Sequence, residues 1–214
     1  MTLRVQKRVA LLLAVVSLAG ALSACAPLMI GGAFVSGMMA SDRRTPGSQV
    51  EDEGIELRAN SRINESLGER VHVNVTSYNR QVLLTGETPT EQDKQLVERV
   101  VTGVENVRSI VNELGVLGSS TLTQRASDSL VTGKVKASLL DAKDLSSNAF
   151  KVVTERGAVY VMGRVTQREA TRATEIISGT GGEMKVVRIL EIISEDELKA
   201  LSPAPASTPT STQP

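Results

Sequence analysis

The chain has 214 residues and is formally neutral, with 24 basic and 24 acidic side chains. It contains no Trp, two Tyr and two Phe, too few aromatics to stack bases or sugars, which argues against nucleic-acid binding. A single cysteine excludes an internal disulfide, and this length accommodates one larger domain or two small ones.

At the N-terminus, Arg4, Lys7 and Arg8 precede an apolar stretch, Val9 to Ala21, interrupted only by Ser17. That stretch falls short of the roughly 20 apolar residues needed to span a bilayer and has the character of a signal peptide. Leu22-Ser23-Ala24-Cys25 follows and resembles the bacterial lipobox. The resemblance implies that residues 1–24 are removed and that Cys25 carries the acyl chains, palmitate among them. Ala26, where Asp would signal inner-membrane retention, implies sorting to the outer membrane with the folded part facing the periplasm.

Residues 25–47 read as a lipidated linker. If flexible from 26 to 47, it would reach roughly 25 Å. The next segment is the first copy of an internal repeat, residues 48–117. Ile55, Ala59, Ile63 and Leu67 recur every fourth residue, as one helix face does. Val71, Val73 and Val75 alternate as a half-buried strand, Asn79-Arg80 turns the chain, and Val82 to Thr85 forms a second strand ending at Gly86. Thr88-Pro89 with Glu91 predicts the start of a second helix, Gly103 its end, and Val107 to Leu114 the last strand. The run Glu51-Asp52-Glu53 reads as the charge-complemented start of the first helix rather than as acid–base or cation-binding machinery.

After a linker at 118–124, residues 125–193 repeat the order. Val131, Val135 and Leu139 form the helix stripe; Phe150, Val152 and Thr154 alternate; Glu155-Arg156-Gly157 turns; Val159 to Met162 ends at Gly163. Thr166 with Glu169 predicts a capping box, Gly179 a helix stop, and Val186 to Ile193 the closing strand. Residues 194–214, ending in a Pro/Ser/Thr-rich stretch, read as a disordered tail.

The stretches GSQVEDEGIELRANSRIN, VHVNVTSYNRQVLLTGETP, TGKVKASLL and SSNAFKVVTERGAVYVMGRVTQREA, in that order and after a lipobox, resemble the dual BON-domain lipoproteins of bacterial outer membranes. The resemblance implies an α+β protein of two tandem αββαβ BON domains, each a three-stranded sheet with two helices on one face. One closing loop departs from the family: Gly103-Val104 with Val107 keeps its pattern, but the second copy reads Gly181-Gly182-Glu183-Met184-Lys185-Val186.

No catalytic constellation, metal-ligand spacing or cofactor fingerprint is present, so the reading is a binding protein with no enzyme activity, cofactor or metal. The single histidine, His72, falls between Val71 and Val73 and reads as a surface residue beside Asn74 and Thr76.

The two copies differ in charge. Residues 48–117 carry 12 acidic and 7 basic side chains, whereas 120–193 carry 8 and 11. Setting Ile63 against Val135 makes the outward face of the first helix Arg58, Ser61, Glu65 and Gly68, a polar surface. The second copy then shows Leu130, Gly133, Ala137 and Leu140, flanked by Lys134 and Lys136. A helix apolar nearly all round either packs on another part of the protein or presents a binding patch. With the resemblance, these six residues are expected to bind an anionic phospholipid membrane and support envelope integrity. The alternative is an adaptor for other outer-membrane or cell-envelope proteins.

Overall fold

The computed structural model describes residues 42–181 and 184–201. The segment read as a signal peptide (1–24), Cys25, the rest of the chain to residue 41, Gly182, Glu183 and the residues from 202 on lie outside the described residues. Thr45 Oγ1 accepts from the Ser48 amide and Pro46 opens the first turn, so helix α1 spans Pro46–Leu67. Strands β1 (His72–Tyr78) and β2 (Gln81–Thr88) form an antiparallel hairpin. Its turn residues Asn79 and Arg80 both take positive φ, the backbone that fits a two-residue hairpin. Helix α2 (Glu91–Thr102) follows, then β3 (Ser109–Asn112) and β4 (Gly115–Val116), both parallel to β2 in one register. The break between them lets Leu114 enter the core.

Helix α2 starts two residues later than expected. Thr88 belongs to β2, and the cap is Thr90, whose Oγ1 accepts from the Asp93 amide and donates to the Asp93 carboxylate. Asp52 is likewise no helix-start charge. It lies within α1, buried, and accepts from the amides of Asn79 and Arg80 at 2.8 and 2.7 Å and from Ser77 Oγ at 2.7 Å. A helix side chain thus holds the hairpin turn.

The second copy uses the same devices. Helix α3 (Leu122–Asp141) begins inside the segment read as linker, with Thr121 as its cap. Strands β5 (Phe150–Glu155) and β6 (Ala158–Thr166) are antiparallel, helix α4 spans Gln167–Gly181, and β7 (Lys185–Ile193) lies parallel to β6. Asp128 of α3 binds the amides of Arg156 and Gly157 as Asp52 binds Asn79 and Arg80. The expected Thr166–Glu169 capping box is present. Two boundaries are corrected: α4 runs through Gly179, and helix α5 (Glu195–Leu201) occupies part of the segment read as disordered.

Each sheet packs its two main helices on one face, around Ile55, Ala59, Val82, Leu84 and Val97 in the first copy and Val135, Leu139, Val159, Val161 and Ile177 in the second. The other faces meet. Tyr78 and Leu83 pack with Tyr160, Met162 and Ile189, giving a helix–sheet–sheet–helix layering with a third core at the seam. His72 is therefore half-buried in this seam, not a surface residue. Strands covered on both faces read as continuous apolar runs, as Val82-Leu83-Leu84 and Val159-Tyr160-Val161-Met162 do.

The seam also accounts for the opposite charges of the copies. Glu87, Glu56 and Glu113 of the first pair with Arg156, Lys151 and Lys185 of the second, while Arg108 and Glu191 pair in reverse. Residues 42–45, read as linker, are packed too. Arg43 reaches Glu169 of the second copy through two 2.7 Å bonds, and Arg44 binds Asp52 of the first while covering the Tyr78 ring.

Candidate functional site: the outward face of helix α3

Val135 and Leu139 are buried in the second core, Val131 packs partly against it, and Asp128 is committed to the β5–β6 turn. These contacts fix which side of α3 faces in. At about 100° per residue, the opposite side carries Leu122, Ala126, Leu130, Gly133, Ala137 and Leu140, all exposed. The leucines are large apolar groups in water, at 83%, 69% and 71% exposure. The stripe is about 27 Å long at 1.5 Å per residue.

Lys134 and Lys136 stand exposed on its two sides and form no ion pair with a described residue. The helix's two carboxylates interfere little: Asp128 is buried, and Asp141 is the last helical residue. The structure thus brings all six expected residues to one open face. Among the described residues this face is not packed on the first copy, because the sheets provide the contact between the copies. The expected patch was too short, for Leu122 and Ala126 extend it by two turns. Their spacing, i, i+4 and i+8 up to Leu130, was legible in the sequence, but the helix start was read several residues late.

The internal control also needs a new alignment. Asp52 and Asp128 do the same job, as do Thr90 and Thr166, so equivalent helix residues differ by the same offset that relates these pairs. Ile63 then matches Leu139, not Val135, and the α1 counterparts of Ala126, Leu130, Gly133 and Lys134 are Val50, Gly54, Leu57 and Arg58. The outward face of α1 is therefore not wholly polar. Val50 and Leu57 are as exposed as the leucines of α3. What differs is the charge around them. Glu53 is exposed on that face, and Arg58 is tied to Glu51 at 2.6 Å and to Glu105 at 3.6 Å.

Other titratable groups serve the structure. Burial opposes ionisation of Glu169, but its paired bonds to Arg43 and the Thr166 amide hold its pKa below the usual carboxylate range. Burial pushes the hydroxyls of Tyr78 and Tyr160 up to about 12. Among the described residues, one cluster has the donors to hold a metal ion: His72, Glu87 and Glu155, at the seam. No helix of the described residues is long and apolar enough to cross a membrane.

Comparison with known proteins places these features in context. The BON domain family matches residues 51–118 and 127–193. The chain is 33% identical over 196 residues to the outer membrane lipoprotein DolP of Haemophilus influenzae, covering 90% of this chain and 100% of that protein. It is 30% identical over 154 residues to a 21 kDa hemolysin of Actinobacillus pleuropneumoniae, covering 71% of this chain and 79% of that one.

Proposed function

We propose a membrane-binding role from one premise: this chain belongs to the BON-domain family, as an outer-membrane lipoprotein with two BON domains facing the periplasm. Within that setting, acylation of Cys25 anchors the chain, and the outward face of α3 binds anionic phospholipid. This binding supports envelope integrity, and the role involves no catalytic step.

The observation that carries the reading is the exposed stripe from Leu122 to Leu140, flanked by Lys134 and Lys136, which form no ion pair among the described residues. An apolar stripe bordered by cations is the pattern of a helix lying in a membrane interface. Full burial of a leucine contributes about 1.5–3 kcal/mol, and a lysine near an anionic surface about 1 kcal/mol. Shallow insertion uses part of this, giving weak binding that a covalent anchor converts into stable residence by raising the local lipid concentration.

Liposome flotation tests the reading with soluble protein in which Cys25 is replaced. Flotation with anionic vesicles, reduced by salt and by Lys134→Glu and absent with neutral vesicles, is expected. Failure to float under every lipid condition would instead favour the face as a docking surface for envelope proteins.

A further inference from the structure

We propose that the seam between the two BON domains holds a divalent cation of the zinc class, bound by His72, Glu87 and Glu155. The site is separate from the lipid-binding face and does not depend on that reading. His72 and Glu87 lie opposite each other in the β1–β2 register, with His72 Nδ1 3.0 Å from Glu87 Oε2. Glu155 reaches the same point from the other domain. One donor atom from each residue lies within 4.8 Å of the others.

The surroundings fit a cation. Both carboxylates are nearly sealed from water, at 1% exposure for Glu87 and 8% for Glu155. Arg156 Nη1 holds Oε1 of Glu87 at 2.8 Å and leaves Oε2 facing His72 and, at 3.5 Å, the Ser120 hydroxyl, while Asn74 Nδ2 holds Oε2 of Glu155 at 2.7 Å. Asp128 adds a third negative group nearby. Against these three stand Arg156 and, one hydroxyl removed through Ser120, Arg125.

The donor chemistry selects the ion. Imidazole nitrogen with two carboxylates suits zinc, which takes three protein ligands and leaves a fourth position open. Calcium and magnesium prefer all-oxygen shells of six or more. A cleft of about 550 Å³ lined by His72, Asn64, Ser119 and Arg125 opens beside the histidine and offers an entry path. Because Glu155 belongs to one domain and His72 and Glu87 to the other, the bound ion would staple the two sheets together.

The test uses the full lipoprotein in detergent, stripped with chelator and titrated with zinc chloride by calorimetry and thermal melting. One zinc per chain is expected, with a rise in Tm that magnesium at the same concentration does not give. His72→Ala and Glu155→Gln should each weaken zinc at least tenfold, while Glu69→Gln, a carboxylate lining the cleft outside the donor set, leaves it unchanged. Circular dichroism checks folding, and His72→Cys, which restores a zinc donor, should recover binding if His72→Ala fails to fold. Absence of zinc binding by the wild type, or binding that survives both His72→Ala and Glu155→Gln, overturns the proposal.

Discussion

Helices α1 and α3 occupy the same place in their two domains, and both leave large apolar side chains in water, yet only α3 is proposed to meet lipid. The lesson is that exposed apolar area does not by itself distinguish them. Leu57 of α1 is 73% exposed and Leu130 of α3 is 69% exposed. The discriminating variable is the charge beside that area. In α1 the cation at the flanking position, Arg58, is neutralised by Glu51 and Glu105, and Glu53 adds a free negative charge. In α3 the equivalent cation is Lys134, which pairs with no carboxylate among the described residues, with Lys136 on the other flank. An anionic bilayer would repel the first face and attract the second.

The largest expected effect tests whether the two domains share one framework. Asp52→Ala removes an acceptor from two amides, Ser77 Oγ and Arg44, and should cost about 3–5 kcal/mol in urea unfolding, as loss of one partner from a buried charged network does. Asp128→Ala removes an acceptor from two amides only and should cost about 1–3 kcal/mol. Equal costs would mean that the hairpin turns are not held by these aspartates as described.

Next in size is a matched pair on the outward faces. Leu130→Asp should lower affinity for anionic vesicles more than tenfold without moving Tm, since the position is exposed and away from the core. Leu57→Asp should leave vesicle binding unchanged. A converse substitution sharpens the contrast. Leu57 corresponds to Gly133, where an added Cβ meets no atom within 4 Å, so Gly133→Leu should fit and tighten binding by roughly tenfold at most.

How much of this was legible in the sequence depends on the kind of signal. The helix stripes, hairpin turns and the Thr166–Glu169 box are local patterns, and they read correctly. The seam is a long-range contact between two amphipathic units, and its trace lay only in unbroken apolar runs such as Val82-Leu83-Leu84. Read as ordinary alternating strands, these runs left His72 on the surface and the charge asymmetry without a partner. The α3 face was found because its residues break the rule for an outward helix side. Its extent and its α1 counterpart were missed because core residues Ala59 and Ile63, one turn apart, both satisfy the same periodicity. Only the shared turn-binding role of Asp52 and Asp128 fixes the alignment.

The smallest expected effect compares the two helix caps. Glu169, buried and paired with Arg43, has its pKa lowered, whereas its counterpart Asp93 meets a largely exposed Arg70. A depressed pKa contributes stability above the ordinary carboxylate value and loses it as pH falls through the folded value. The stability gap between wild type and Arg43→Met in urea should therefore be widest near neutrality and shrink toward about pH 3, below the ordinary carboxylate pKa of about 4.3. Arg70→Met should show almost no gap at any pH.

Helix α3, and not α1, is proposed to enter the membrane interface. The most direct measurement places an environment-sensitive fluorophore on a single introduced cysteine, at Leu122, Leu130 or Leu140 in α3 or at Val50 or Leu57 in α1, in soluble protein whose Cys25 is replaced. On addition of anionic vesicles, a blue shift and rise in emission are expected at the three α3 positions, with no change at the two α1 positions. Equal responses from both helices, or a response confined to α1, would contradict it.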